Sequence, residues 1–379
     1  MNNKEAFSHP NARSSTLIAT RNAKMARSAH AYVRGNTGKF YEWLEGLKRG
    51  SLPEGPAVWI CGDCHLGNLG PVANADGKID IQIRDLDQTV IGKPAHDLVR
   101  LGLSLASAAR GSDLPGVITA RMLEEMMEGY ENAFERDFHE ESESKRPESI
   151  RLVSKQASAA SWKTLAKKRI EDTRPAIPLG RRFWSISKDE RRQIEKLFDS
   201  EEMRKLATML RSREDDARVK LYKKGKDSTY CIMDVKEAVH PIARHAWCVK
   251  MPSDPAERVV EGARHLSPYL GKRMRAMRLM DKAVFVRELL PQDLKIEVEQ
   301  LTQDEAMKVA QFLAAVVGKA HSRQMASGTR KQWQKELRRN RTKSLDAPTW
   351  LWTSIVELLA VHERAYLEHC RTYAWDAVR

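Results

Sequence analysis

The stretch LGPVANADGKIDIQIRDLD, residues 69–87, admits few folds. Its second half alternates Ile79, Ile81 and Ile83 with Asp80, Gln82 and Arg84, a period of two that turns the isoleucines to one side of a strand. The Asp-Gly pair inside NADGK suits a tight antiparallel turn, because glycine takes positive φ with no Cβ to clash. The segment therefore predicts a β-hairpin whose far strand runs into two carboxylates, Asp85 and Asp87. Just before it, AVWIC (57–61) has the short apolar, β-branched and aromatic profile of a buried strand. Just after it, Asp97 is placed to cap a helix through LVRLGLSLASAAR to Gly111, with Leu98, Leu101 and Leu105 on one face.

Further elements follow from the same rules. Residues 20–48 read as helical, with Tyr32, Phe40, Tyr41, Trp43 and Leu44 giving an aromatic face and RGN (34–36) a break. A helix is expected from about Pro115 to Phe138, then a charged, irregular surface insertion over 139–182. SKDE (187–190) and TQDE (302–305) have capping-box spacing, the first opening a helical stretch to about Arg211. YCIMDVKEAV (230–239) and AVFVRELL (283–290) are strand-like, with a helix near 256–266 between them, and the chain beyond 302 is helical. The expected class is α+β, with the two strand-bearing regions in separate lobes. The expected divisions are 1–212, a small α+β unit over 213–300, and C-terminal helices over 301–379 that complete the larger lobe.

Composition narrows the setting. No apolar run approaches the length needed to cross a bilayer, FLAAVV at 312–317 being among the longest, and the N-terminus lacks the apolar core of a secretory signal. Five cysteines in 379 residues fit a reducing compartment better than a disulfide framework, so a cytoplasmic protein is expected. The net charge of +14 is concentrated in 163–182 and in 323–343, where eight Lys/Arg face one Glu. Such segments are solvated helix faces or a surface for polyanions. No zinc-finger or RNP-box pattern accompanies them.

The decade WICGDCHLGN (59–68) carries the chemistry and admits three readings. Cys61 and Cys64 have redox spacing, but such a pair ordinarily opens a helix, whereas Cys61 ends a strand and the thiols need not converge. A structural zinc site would need a second pair of ligands, and Cys231, Cys248 and Cys370 are scattered. Asp63, His65 and Asn68 could belong to a metallophosphohydrolase. His240, His245, His265 and His321 lack the neighbours that a two-metal site requires. The third reading rests on the D-x-x-x-x-N spacing of Asp63 and Asn68 followed by Asp85 and Asp87. In phosphotransferase loops the Asp orients the acceptor hydroxyl and takes its proton, while the Asn and a later Asp bind Mg²⁺ through oxygen. Taken singly, each residue also fits a turn or cap.

GDCHLGN and IRDLDQTVIGKPAHDLVRL resemble the aminoglycoside-phosphotransferase-like branch of the protein-kinase-like enzymes. More closely, AYVRGN, GDCHLGNLG, IRDLDQT, DLVRLGLSLASAAR, DVKEA, RVVEGAR, FVRELLPQDLK and AHSRQM make the chain similar to the bacterial family called domain of unknown function 2252. The resemblance implies a helix-rich, two-lobed kinase-like fold, circularly permuted because the Lys-bearing strand follows the catalytic loop. It implies that Asp63 is the base, Asn68 and Asp85 are metal ligands with Asp87 a second-metal ligand, and His65 and Asp97 support the loop. Lys236 would contact the phosphates of ATP and pair with Glu261, or failing that Glu257. Two departures stand out. Cys61 replaces the usual His of such loops, and DDARVKLYKKGKDSTY (215–230) holds a single glycine, Gly225, where a glycine-rich phosphate loop would lie. Lysines 220, 223, 224 and 226 could substitute for it by charge. The implied activity is Mg²⁺-dependent transfer of a phosphoryl, or less directly a nucleotidyl, group from ATP to an acceptor. The alternative is a kinase-like binding or regulatory protein with little catalysis, whose basic 323–343 segment meets a polyanion.

Overall fold

The structure, a computed structural model, describes residues 10–74, 78–135, 146–159, 186–211, 219–223, 226–230, 232–246, 249–289, 302–338 and 347–377. The class is α+β: small antiparallel sheets set among helices. The predicted N-terminal helix is three helices, Pro10–Met25, Ala29–Gly35 and Thr37–Glu45. Ser28 caps the second by accepting from Ala31 N, and Asn36 caps the third by accepting from Lys39 N. The break expected at RGN is therefore a cap, and a second break at 26–28 accompanies it.

β1 (Val58–Ile60) pairs antiparallel with β4 (Val90–Gly92), while β2 (Leu69–Ala73) and β3 (Ile79–Ile83) form the predicted hairpin. Register sets Leu69 opposite Ile83 and Ala73 opposite Ile79. The Asp-Gly turn itself lies outside the described residues. Helix Pro94–Gly111 is buried along almost its whole length. It begins four residues earlier than its sequence suggests, at Pro94, whose fixed φ suits a first helical position. Asp97 is therefore inside the first turn and does not cap it.

Helices Gly116–Asn132 and Gln303–Ser322 cross closely through two glycines. A Cβ on Gly129 would stand 2.0 Å from the Gln311 carbonyl oxygen, and one on Gly318 would stand 2.6 Å from that of Tyr130. The expected irregular insertion contains helix Glu148–Ala159, and 163–182 lies outside the described residues. Glu305 belongs to the TQDE box, but its carboxylate bonds Glu148 N and Ser149 Oγ at the start of that helix. The SKDE box forms reciprocally between Ser187 and Glu190, and two helices follow it, Lys188–Phe198 and Glu201–Arg211.

β5 (Val219–Lys223) and β6 (Lys226–Tyr230) form a separate hairpin; Gly225, Lys224 and the side chains of Lys220, Lys223 and Lys226 lie outside what is described. β7 (Ile232–Glu237), β8 (Met274–Leu279) and β9 (Lys282–Leu289) form a three-stranded sheet in the order β7-β9-β8. Neighbouring residues of β9 face opposite sides: Phe285 joins the main core, while Val286 packs with Leu197, Met203 and Leu206. Helix Pro255–Leu266, capped by Asp254, lays Ala256, Val259, Val260 and Ala263 into the main core. That core runs from Val33 through Leu359, so residues 255–285 share it with the rest of the chain. Helices Ser327–Leu337 and Thr349–Ala377 end the described chain, the last packing on 10–25, 29–35 and 94–111.

Candidate active site

The segment between β1 and β2 is built from backbone constraints outward. Gly62 has φ +76°, and a Cβ there would lie 2.2 Å from the Gln88 carbonyl oxygen, so only glycine fits. The fully buried carboxylate of Asp97 accepts from Cys61 N at 2.7 Å and Gly62 N at 3.0 Å. It also meets His321 Nε2 at 3.2 Å, and His321 Nδ1 meets the Tyr130 hydroxyl at 3.0 Å. Trp333 Nε1 donates to that hydroxyl at 3.2 Å. Tyr41 donates to the Gly62 carbonyl at 2.5 Å, and Thr89 Oγ1 donates to the Ile60 carbonyl at 2.7 Å. Five elements thus hold one sharp bend.

The bend presents Asp63. Its Oδ2 accepts from Thr37 Oγ1 at 2.8 Å and its Oδ1 from Arg100 Nε at 2.8 Å. Arg100 is itself buried, with Nη2 on the Val33 carbonyl and the Phe40 ring beneath its guanidinium. The side chain of Asn68 donates to the Asp63 carbonyl at 2.9 Å, closing a ring across the five-residue spacing, while its own oxygen has no hydrogen bond among the described residues. His65 Nε2 stands 3.8 Å from Asp63 Oδ2. Burial first, then Arg100 and Arg34, hold this imidazole's pKa near 4 despite the Asp63 charge, so it is neutral.

The second half comes from the hairpin and the distant sheet. Asn68 O accepts from Arg84 N at 2.8 Å, and the strand continues into Asp85. Lys236, on β7, sends its ammonium to Asp85 at 3.5 Å and forms a closer ion pair with Asp87. Burial alone would favour neutral carboxyls here. Lys236, the Asp87 N–H and Arg287 outweigh it at Asp85 and hold that pKa below the ordinary value. At Asp87 burial and the Asp85 charge prevail, and the pKa is raised. Lys236 is held above its ordinary value because the two carboxylates outweigh its own burial. Asp87 Oδ1 is buried and, among the described residues, has no hydrogen-bond partner. Arg258 fixes the geometry by donating to the carbonyls of Thr89, Asp87 and Val239.

The remaining expectations fare unevenly. Glu261 does not meet Lys236: its carboxylate pairs with Arg264 at 3.0 Å and His265 at 3.3 Å on its own helix. Glu257 is exposed on the same helix. The buried thiols of Cys61 and Cys64 lie near enough to act on each other, and Cys61 Sγ reaches the Asp85 carbonyl at 3.6 Å. The Cys64 thiol and burial push Cys61 well up, and Cys64 is also raised, so both are protonated thiols at neutral pH. Within the basic 323–343 segment, Arg323 bonds the Leu266 carbonyl, Arg330 that of Met325 and Arg338 the Glu131 carboxylate; residues 339–343 lie outside the described part. Among the described residues no three or more His, Cys, Asp or Glu gather as a metal cluster, and no helix is long and apolar enough to cross a membrane. Thr37, Arg100, Arg258 and His321 were not anticipated as site residues. Each nevertheless lies in or beside a family-like stretch: AYVRGN, DLVRLGLSLASAAR, RVVEGAR and AHSRQM.

A family model described as "Uncharacterized protein conserved in bacteria (DUF2252)" matches residues 13–221 and 212–372. The chain belongs to the DUF2252 family. No curated protein and no solved structure matches it. The DUF2252 match spans every residue of the site, from Thr37 to His321.

Proposed function

We propose that this DUF2252 protein transfers a phosphoryl group from ATP to an acceptor hydroxyl, with Mg²⁺ and a circularly permuted kinase-like arrangement of two lobes. The observation that carries the reading is the meeting of Lys236 with Asp85 and Asp87 across 151 residues of chain, beside the Asp63–Asn68 loop. A lysine from a three-stranded sheet facing two carboxylates at the end of a hairpin supports the reading, because in kinase-like chemistry a strand lysine contacts the phosphates and a nearby Asp holds Mg²⁺. Lys236 would exchange its carboxylate partners for nucleotide phosphates.

The donors suit a hard cation. Asp85, Asp87 with its partnerless oxygen, and the side-chain oxygen of Asn68 offer oxygen ligands few enough for Mg²⁺ to keep several waters. Bound there, the cation would neutralise phosphate charge. Asp63 would accept the acceptor's proton: each carboxylate oxygen retains a lone pair beyond its bond to Thr37 or Arg100.

Calorimetry of ATP binding with and without Mg²⁺ tests this on wild type, Asp85→Asn and Lys236→Ala. Magnesium-dependent binding, abolished by Asp85→Asn and weakened about tenfold by Lys236→Ala, is expected. Absence of wild-type binding at millimolar ATP would overturn it. One observation favours a second reading, a binding protein with little turnover: buried Arg100 neutralises Asp63. In that case ATP binds, and no product forms with any acceptor. A metallophosphohydrolase has no comparable support.

A further inference from the structure

A cavity of about 540 Å³ is lined in part by Leu66 and Gly67 of the 63–68 loop. It takes no part in the phosphoryl-transfer reading. Its walls are cationic and unusually short of partners. The guanidiniums of Arg27 and Arg34 make no hydrogen bond or ion pair among the described residues, and Arg34 lies against Gly67. A third arginine, Arg110, is already neutralised by Glu363, the single acid of the lining. Two positive charges are therefore left facing the same space.

Two imidazoles complete the wall. His362 is 1% exposed, and its Nδ1 lies 2.9 Å from the Leu358 carbonyl. That partner only accepts, so Nδ1 carries the proton and Nε2 is a bare lone pair. Nε2 is buried and has no partner among the described residues, and neither has His30 Nδ1. Burial and neighbouring arginines keep both rings neutral, with pKa near 4. An orphaned buried lone pair is costly unless something donates to it.

We infer that this cavity binds a small oxyanion, a phosphate monoester or carboxylate, that also carries a hydroxyl or amine donor. The guanidiniums would take the anion by paired N–H···O bonds, and His362 Nε2 would accept from the donor group. Neither feature alone selects such a ligand. Cations without the lone pair would take bare phosphate, and the lone pair without cations would take water.

The test is calorimetric titration of the full chain with inorganic phosphate, glycerol 3-phosphate, glycerate and glycerol. Glycerol 3-phosphate or glycerate should bind more tightly than inorganic phosphate, and glycerol should not bind. Which of the two is preferred separates a phosphate from a carboxylate ligand. Arg27→Gln, at an exposed position that leaves the fold intact, and Arg34→Gln should each weaken binding about tenfold. His362→Leu should erase the preference for the hydroxylated anion over inorganic phosphate while leaving phosphate itself bound. Failure of wild type to bind any of the anions, or affinities unchanged in both arginine variants, would overturn the inference. Asp85→Asn should leave this binding intact, so its outcome is independent of the ATP experiment.

Discussion

Asp97 carries more of the site's geometry than any residue that would touch substrate. Its charge is buried and answered by two backbone N–H groups and His321. Removing one side of such an arrangement leaves donors unpaired in a medium that cannot solvate them. Asp97→Ala is expected to lower stability by about 3–5 kcal/mol, read from urea unfolding, and His321→Ala by less, because the two N–H bonds survive. At Lys236 the expectation has the opposite sign. The ammonium serves as internal counter-ion to Asp85 and Asp87, so Lys236→Met should bind Mn²⁺ more tightly than wild type when nucleotide is absent. Paramagnetic relaxation of water would report it, and equal affinity would mean that the two carboxylates do not share a cation site.

At the scale of elements, the bend after β1 and the crossing of helices 116–132 and 303–322 both depend on a missing Cβ. Gly129→Ala drives a methyl into the backbone of the facing helix, and relief requires the helices to part. A loss of at least about 2 kcal/mol is expected, visible as a lower Tm. Gly62→Ala should distort the Asp63 loop through both its φ and the Gln88 carbonyl. Elements of this kind were uneven in their legibility. The 69–83 hairpin, the 187–190 capping box, the 255–266 helix and β9 follow from alternation, caps and period, all local signals. Asp97 was misread as a cap because aspartate favours that position. Pro94 starts the helix instead, and the carboxylate answers N–H groups 35 and 36 residues away. Thr37, Arg100 and His321 escaped for the same reason: they find their partners 26, 37 and 224 residues away, and no local pattern encodes that. Their only trace was membership of, or adjacency to, the family-like stretches.

Among the described residues, four histidines are held neutral by burial: His30, His65, His96 and His362 each have a pKa near 4 against about 6.5 when unfolded. Between those values the unfolded chain binds more protons than the native one. Stability is therefore fully present above pH 6.5 and declines as pH falls toward 4. The urea midpoint should drop steeply from pH 7 to pH 5, and His362→Gln should flatten the profile. An unchanged midpoint over that range would contradict the burial of these rings. The support for Asp97 has a different kind of consequence, one of timing. Its imidazole is residue 321, and the chain behind that contact, Trp333 and the 349–377 helix, is made later still. A ribosome that has finished Asp63, Asn68, Asp85 and Lys236 has made the proposed reactive groups without the imidazole that supports Asp97. The nascent chain must keep its central apolar helix, 94–111, out of wrong contacts until the helices that cover it, 303–322 and 349–377, have been made. A chain stalled before residue 321 has only the N–H groups of Cys61 and Gly62 to answer the Asp97 charge.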